Sequence, residues 1–135
     1  MKRNRILIPI VILLVLIVFA ANLDRKKASV KIESVKIDNN QVEISALIKN
    51  TGKEQHNFPI NLSLRKLDGK WVDLPPQFQF LEPGKEITVK FNHDLKKIGM
   101  IDSVRVTVWE NVNKHGQLKK QYSSSEKEIT GLARY

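Results

Sequence analysis

Three histidines, a run of serines and two tryptophans are the residues of this chain whose chemistry exceeds packing. His56, His93 and His115 offer metal ligation or proton transfer, but no pair stands at the i, i+4 helical spacing that points two imidazoles at one ion. All three fall in or beside stretches that read as loops. Ser123 to Ser125 with His93 and Asp94 can be written as a nucleophile, base and orienter, yet no glycine-flanked nucleophile turn surrounds the serines. Asp38-Asn39-Asn40 gathers oxygen atoms as a calcium loop does, but calcium takes about six or more oxygens and a plain turn accounts for the triplet. The chain has no cysteine, which excludes thiolate metal sites, thiol catalysis and disulfides. The residues therefore predict no catalytic group, no metal site and no cofactor.

The tryptophans are different, because an aromatic ring with basic neighbours can serve as a contact surface. Trp109 follows Val104, Val106 and Val108 out of phase, so it is expected to face away from the core those valines build. Trp109, Lys119 and Lys120 form the candidate contact surface. The other reading of Trp109 is packing against an edge or loop of its own domain, and Trp71 is open to the same two readings.

These side chains must be positioned by strands. Period-two alternation runs almost the whole length after residue 29 and never yields to a helical period. Val30 and Ile32 alternate with charged residues; Val35 and Ile37 resume one position out of phase, which predicts a bulge or change of face near Ser34. Asp38-Asn39-Asn40 is a turn. Val42, Ile44, Ala46 and Ile48 then share one face. Phe58, Ile60, Leu62 and Leu64 do the same on a third strand, with Asn61, Ser63 and Arg65 opposite. Asp68-Gly69 predicts a hairpin to Trp71-Val72, and Pro75-Pro76 interrupts pairing. A short strand through Phe78 to Leu81 ends at Glu82-Pro83-Gly84, and Ile87, Val89 and Phe91 follow. Asn92 to Met100 reads as irregular, with room for one helical turn over 94–98. The valine strand ends near Asn113 to Gly116, after which Gln117 to Ser123 returns and Glu126 to Thr130 extends the pairing.

Ahead of all this lies Ile6 to Ala21, sixteen uncharged and nearly all aliphatic residues preceded by Lys2, Arg3 and Arg5. Such a block suits lipid, and the preceding cations predict a cytoplasmic N-terminus with the rest delivered outside. Residues 6–23 as a helix span roughly 27 Å against a hydrocarbon core of about 30 Å, short but workable for a single-pass anchor. Val18-Phe19-Ala20-Ala21 also suits signal cleavage near Ala20, which would leave a secreted domain. Arg25, Lys26 and Lys27 argue for the anchor. The expected organisation is thus a transmembrane segment at 1–23, a charged spacer at 24–29, one β-domain at 30–130 and a tail at 131–135.

The full chain has a net charge of +9. The part after residue 23 holds 20 of the 23 Lys and Arg and all 14 acidic residues, about +6. A solvated lysine-rich surface explains that balance, and anionic lipid headgroups or wall polymers are possible neighbours. Nucleic acid is not expected as a partner of an exported domain, since charge alone does not argue for it. The expected partners are the lipid bilayer, through residues 6–23, and a protein or envelope polymer; the alternative is a module that binds carbohydrate or an anionic wall polymer.

The order of signals from Val42 to Phe91 carries a resemblance. An alternating strand leads into Lys49-Asn50-Thr51-Gly52, a strand centred on Ile60 to Leu64 follows, and Leu81-Glu82-Pro83-Gly84-Lys85 precedes Ile87-Thr88-Val89. This resembles the cell-adhesion-related, CARDB-type immunoglobulin-like domains of bacteria and archaea, over about half of the β-domain. The resemblance implies an extracytoplasmic, non-enzymatic module used as a spacer, adhesin part or accessory subunit. The chain departs from that pattern near its end, where Trp109-Glu110-Asn111 leads into basic Lys114, Lys119 and Lys120. Together these readings predict an all-β fold, an immunoglobulin-like antiparallel β-sandwich of about seven strands behind one N-terminal transmembrane helix.

Overall fold

A computed structural model describes residues 27–129. The apolar segment 6–23, the beginning of the spacer and the tail 131–135 lie outside the described residues. Within them the chain forms eight strands: β1 (Ala28–Asp38), β2 (Gln41–Asn50), β3 (His56–Lys66), β4 (Trp71–Asp73), β5 (Gln77–Leu81), β6 (Glu86–Asp94), β7 (Ile101–Val112) and β8 (Leu118–Glu128). Strands β1-β2-β6 make one antiparallel sheet. The second runs β4-β3-β7-β8, and β5 pairs with the first half of the β3 edge that β4 completes.

The alternating faces meet between the sheets. Val42, Ile44, Ala46 and Ile48 of β2 are fully buried against Phe58, Ile60, Leu62 and Leu64 of β3 and Val104, Val106 and Val108 of β7. Burying each such side chain contributes about 1.5–3 kcal/mol, and with no disulfide this packing holds the domain together. The phase change in β1 is a register shift between Ile32 and Ser34 opposite β2. It frees the Ile32 amide, which donates across the sandwich to Ser125 Oγ on β8 at 3.1 Å. One open side of the sandwich is thereby tied.

Turn chemistry sets the strand ends. Asn39 and Asn40 both take positive φ, 50° and 62°, as a two-residue hairpin of the primed type needs. Pro83 and Gly84, the latter at φ 76°, occupy the centre of a turn closed by Lys85 N–H to Glu82 C=O at 3.1 Å. One expectation is corrected and two details are added. The stretch after Asn92 is strand as far as Asp94 because those residues still pair with Gln41 to Glu43, and only a single turn at Leu95 to Gly99 follows. The returning strand and the extension expected from Glu126 are one continuous strand, β8, since β7 is long enough to pair with it from Leu118 to Glu128. Ile87 is 36% exposed although in phase with buried Val89 and Phe91, because it lies near the start of the edge strand β6.

Candidate functional site

The outer face of the five-stranded sheet is built from the polar positions that alternate with the core. Register places Asp73, Ser63, Arg105 and Glu126 in one row across β4, β3, β7 and β8. Trp71, Arg65, Ser103 and Glu128 form the row on one side of it. On the other side Asn61, Thr107 and Ser124 lie abreast, and the next row brings Phe78 and Pro59 beside Trp109 and Gln121. Three aromatic rings, Trp71, Phe78 and Trp109, therefore share this face with Arg65 and Arg105.

Hydrogen bonds fix several of these side chains. The Trp109 indole N–H donates to Asn61 Oδ1 at 2.8 Å, and the Ser63 hydroxyl donates to Asp73 Oδ1 at 2.6 Å. Asn61, Ser63 and Thr107 are buried although they point away from the core, because the larger side chains around them rise above the sheet. The result is a groove of about 390 Å³ with Trp109 at one wall, Arg105 and Asp73 at the other and Asn61 and Thr107 along the floor. Arg105 lies over the Trp71 ring at 4.1 Å, a cation–π contact that holds its guanidinium against the ring. Arg65 sits over the same ring at 5.6 Å but is paired with Asp102 at 2.6 Å, and that hydrogen bond raises its already high pKa.

The expected contact residues divide. Trp109 is half-buried on the face opposite Val104, Val106 and Val108, and Lys119, opposite Asn111, is on the same outer face. A register shift beside Trp109 leaves Tyr122 as the extra residue of β8, and Lys120 takes φ 57°. Lys120, next to Lys119 in the strand, points to the other side, where it pairs with Glu110 at 3.5 Å and lies 5.8 Å from the Tyr122 ring. The structure thus keeps Trp109 and Lys119 together and separates Lys120 from them. Asn61, Asp73, Arg65 and Arg105 join the site without having been singled out; the signal of Asn61, Arg65 and Arg105 was the polar half of the alternation in β3 and β7, and Asp73, on β4, is placed by its pairing with Ser63.

A second cavity, also about 390 Å³, opens at the end of the sandwich where β1 begins, between the Asn50–Gln55 turn and Tyr122. His56 hydrogen-bonds through Nε2 to the Glu110 carbonyl and meets the Phe58 ring edge-on at 4.7 Å. The Tyr122 phenol is pushed up to about 12 by burial, with the Glu110 carboxylate and its hydrogen bond adding to the effect. A phenol held protonated donates hydrogen bonds and is no nucleophile at neutral pH. Among the described residues no group of three His, Asp or Glu converges as a metal would require. His93 and Asp94 end β6 in one sheet while Ser123 to Ser125 lie on β8 in the other, so that triad is not assembled.

Comparison with known proteins gives fold and little else. No family model matches the chain. No curated protein matches it either. Among solved structures, β-glucosidase 3B from Thermotoga neapolitana superposes with a TM-score of 0.51 at 14% identity, over 77% of this chain and 17% of that one. A DUF1425 family member from Shewanella gives 0.50 at 9% identity, over 64% of this chain and 81% of that one. A β-glucosidase from Kluyveromyces marxianus gives 0.47 at 18% identity, and the chain spans 14% of its length. At these identities the likeness is one of fold, an all-β sandwich of two antiparallel sheets. The glucosidase matches cover a small part of enzymes far longer than this chain.

Proposed function

We propose that this protein is an immunoglobulin-like contact module, held on the outer side of a membrane by residues 6–23, that recognises a protein or envelope polymer and catalyses nothing. The immunoglobulin-like reading is supported by the division of strands: β1, β2 and β6 face β3, β7 and β8, as strands A, B and E face C, F and G in that fold. The two strands between β3 and β6, β4 and β5, both pair with β3, and neither completes the first sheet. The CARDB-type resemblance is supported by its two turns, which meet where the Asn50 side-chain amide donates to Leu81 C=O and Gly84 N–H donates to Asn50 C=O. The membrane location rests on the apolar run and the cations before it.

The observation that carries the contact role is the outer face of the larger sheet. Phe78 and Phe80 of β5 stand 55% and 54% exposed on the same sheet as Trp109, with β3 between them, and Lys119 is at the margin. Exposed aromatics around a hydrogen-bonded indole match the composition of recognition surfaces better than that of a passive exterior. The test is a photo-crosslinking residue at position 78 of the full chain in cells, compared with one at position 36 on the other sheet, combined with a C-terminal topology reporter. The expected result is a reporter located outside the membrane and a discrete crosslinked product from position 78 alone. A reporter inside, or equal labelling from both positions, overturns the proposal. A mature N-terminus at Ala21 or Asn22 by mass measurement would replace the anchor with a secreted domain.

A further inference from the structure

The geometry points to the groove beside Trp109 as a binding site for an uncharged pyranose sugar. This deepens the reading of the outer face as a contact surface and rests on it. Sugar rings are recognised by two features at once: an aromatic plane for their apolar C–H face, and mixed donors and acceptors for hydroxyls that are themselves both. The groove offers the two together. The hydrogen bond from its Nε1 to Asn61, at 2.8 Å, fixes the indole of Trp109 without occupying the ring faces. A plane held in place before the ligand arrives loses little freedom on binding.

The remaining lining supplies the polar half. Asp73 spends Oδ1 on Ser63 and keeps Oδ2 as an acceptor, while Arg105, stacked on Trp71, makes no ion pair among the described residues and keeps its N–H groups as donors. Thr107 and Gln121 add a hydroxyl and an amide. The two charged groups are of opposite sign, so the lining is neutral, and Glu126 lies across from Arg105 on β8. That balance disfavours a carboxylated or phosphorylated sugar, which would meet Asp73 and Glu126, and suits neighbouring hydroxyls that bridge an acceptor and a donor. The volume of about 390 Å³ lies in the range of small-molecule clefts and is open along the sheet, so a ring within a longer glycan can occupy it.

The test uses the full chain in a sugar-free zwitterionic detergent, titrated with maltotetraose, cellotetraose and chitotetraose, with trigalacturonic acid as the charged counterpart. Nuclear magnetic resonance follows the indole N–H signals of the two tryptophans, and calorimetry measures affinity. The expected result is a saturable shift of the Trp109 signal with at least one neutral tetrasaccharide at millimolar concentration. Trp109→Ala should abolish the binding heat, and Thr107→Val, close in shape, should weaken affinity about tenfold by removing one hydroxyl contact. If Trp109→Ala fails to fold, Thr107→Val alone decides. No shift with any neutral sugar, a response to trigalacturonic acid only, or affinity untouched by Thr107→Val overturns the site. A silent sugar panel beside a specific protein crosslink from position 78 would overturn this inference and leave the contact module standing.

Discussion

The side-chain amide of Asn50 donates to the backbone carbonyl of Leu81 at 2.9 Å, and so joins the turn after β2 to the turn after β5. The same amide donates to Glu54 C=O at 2.8 Å while Asn50 Oδ1 accepts from Gly52 N–H at 2.9 Å. The Asn50 backbone completes the junction, its N–H donating to Lys85 C=O at 3.0 Å and its C=O accepting from Gly84 N–H at 2.9 Å. A fully buried polar side chain is tolerable here because its amide donates twice and its oxygen accepts.

Replacing Asn50 with Ala should therefore destabilise the domain by about 2–4 kcal/mol, since backbone groups of two turns lose their partner at once. Asn50→Asp should also destabilise, because it turns both donors into an acceptor facing carbonyls. Urea denaturation followed by circular dichroism measures both. Exposed Asn57→Ala is the control, expected within about 0.5 kcal/mol of the parent; an Asn50→Ala variant that matches it would show that the junction contributes nothing.

Two glycines should fail for different reasons. A Cβ on Gly52 would stand 3.2 Å from Lys27 Cβ and 3.3 Å from Asn50 Oδ1, so Gly52→Ala crowds the Asn50 junction. Gly116 has open space around it but a φ of +77°, so Gly116→Ala is strained by its backbone at a cost of about 1–2 kcal/mol. Gly116→Asn should recover part of that loss and Gly52→Asn none. Thermal melts of the four variants separate the two mechanisms.

Alkaline pH should loosen the fold through Tyr122. Its folded pKa is raised to about 12 from an ordinary 10.0, mainly by burial, so the folded state holds a proton that the unfolded chain releases. The stabilisation is complete below pH 10 and is lost as pH rises from there through 12. Phenolate absorbance should show Tyr122 ionising near 12, and Glu110→Gln should move that ionisation down by removing the neighbouring charge. Ionisation at the ordinary value in the folded protein would contradict the assignment.

The link between sheets at Ser125 should be measurable by itself. Ser125→Ala leaves the part-buried Ile32 N–H at the β1 bulge without its 3.1 Å acceptor, at a cost of about 1 kcal/mol. Hydrogen exchange at the Ile32 amide should accelerate more than at its neighbours. Ser124→Ala, one position along on the exposed face, should leave that amide unchanged.

Much of this fold was legible in local pattern. Period-two alternation on β2, β3 and β7 marked the buried side chains of the core correctly, because a strand with one buried face must alternate. The turns at Asn39-Asn40, Asp68-Gly69 and Pro83-Gly84 were legible because positive φ restricts which residues serve. The bulge in β1 showed as a slip of phase. The continuation of β6 to Asp94 and the unity of β8 were not visible, since a partner strand supplies the pairing that makes polar residues extended.

The chemistry on the surface divides the same way. Sequence by itself determined that Trp109 points away from the valines, that no cysteine chemistry exists, and that an apolar segment with cations before it opens the chain. Only the tertiary structure decided which residues keep Trp109 company. Asn61 is 48 positions away in sequence and Arg105 reaches Trp71 on β4 across β3, contacts that depend on strand order and register rather than on any local preference. Lys119 and Lys120 part for a local reason, since neighbouring residues of a strand point to opposite faces; strand pairing decided only which of the two accompanies Trp109, through the extra residue in β8 and the pairing of Lys119 with Asn111.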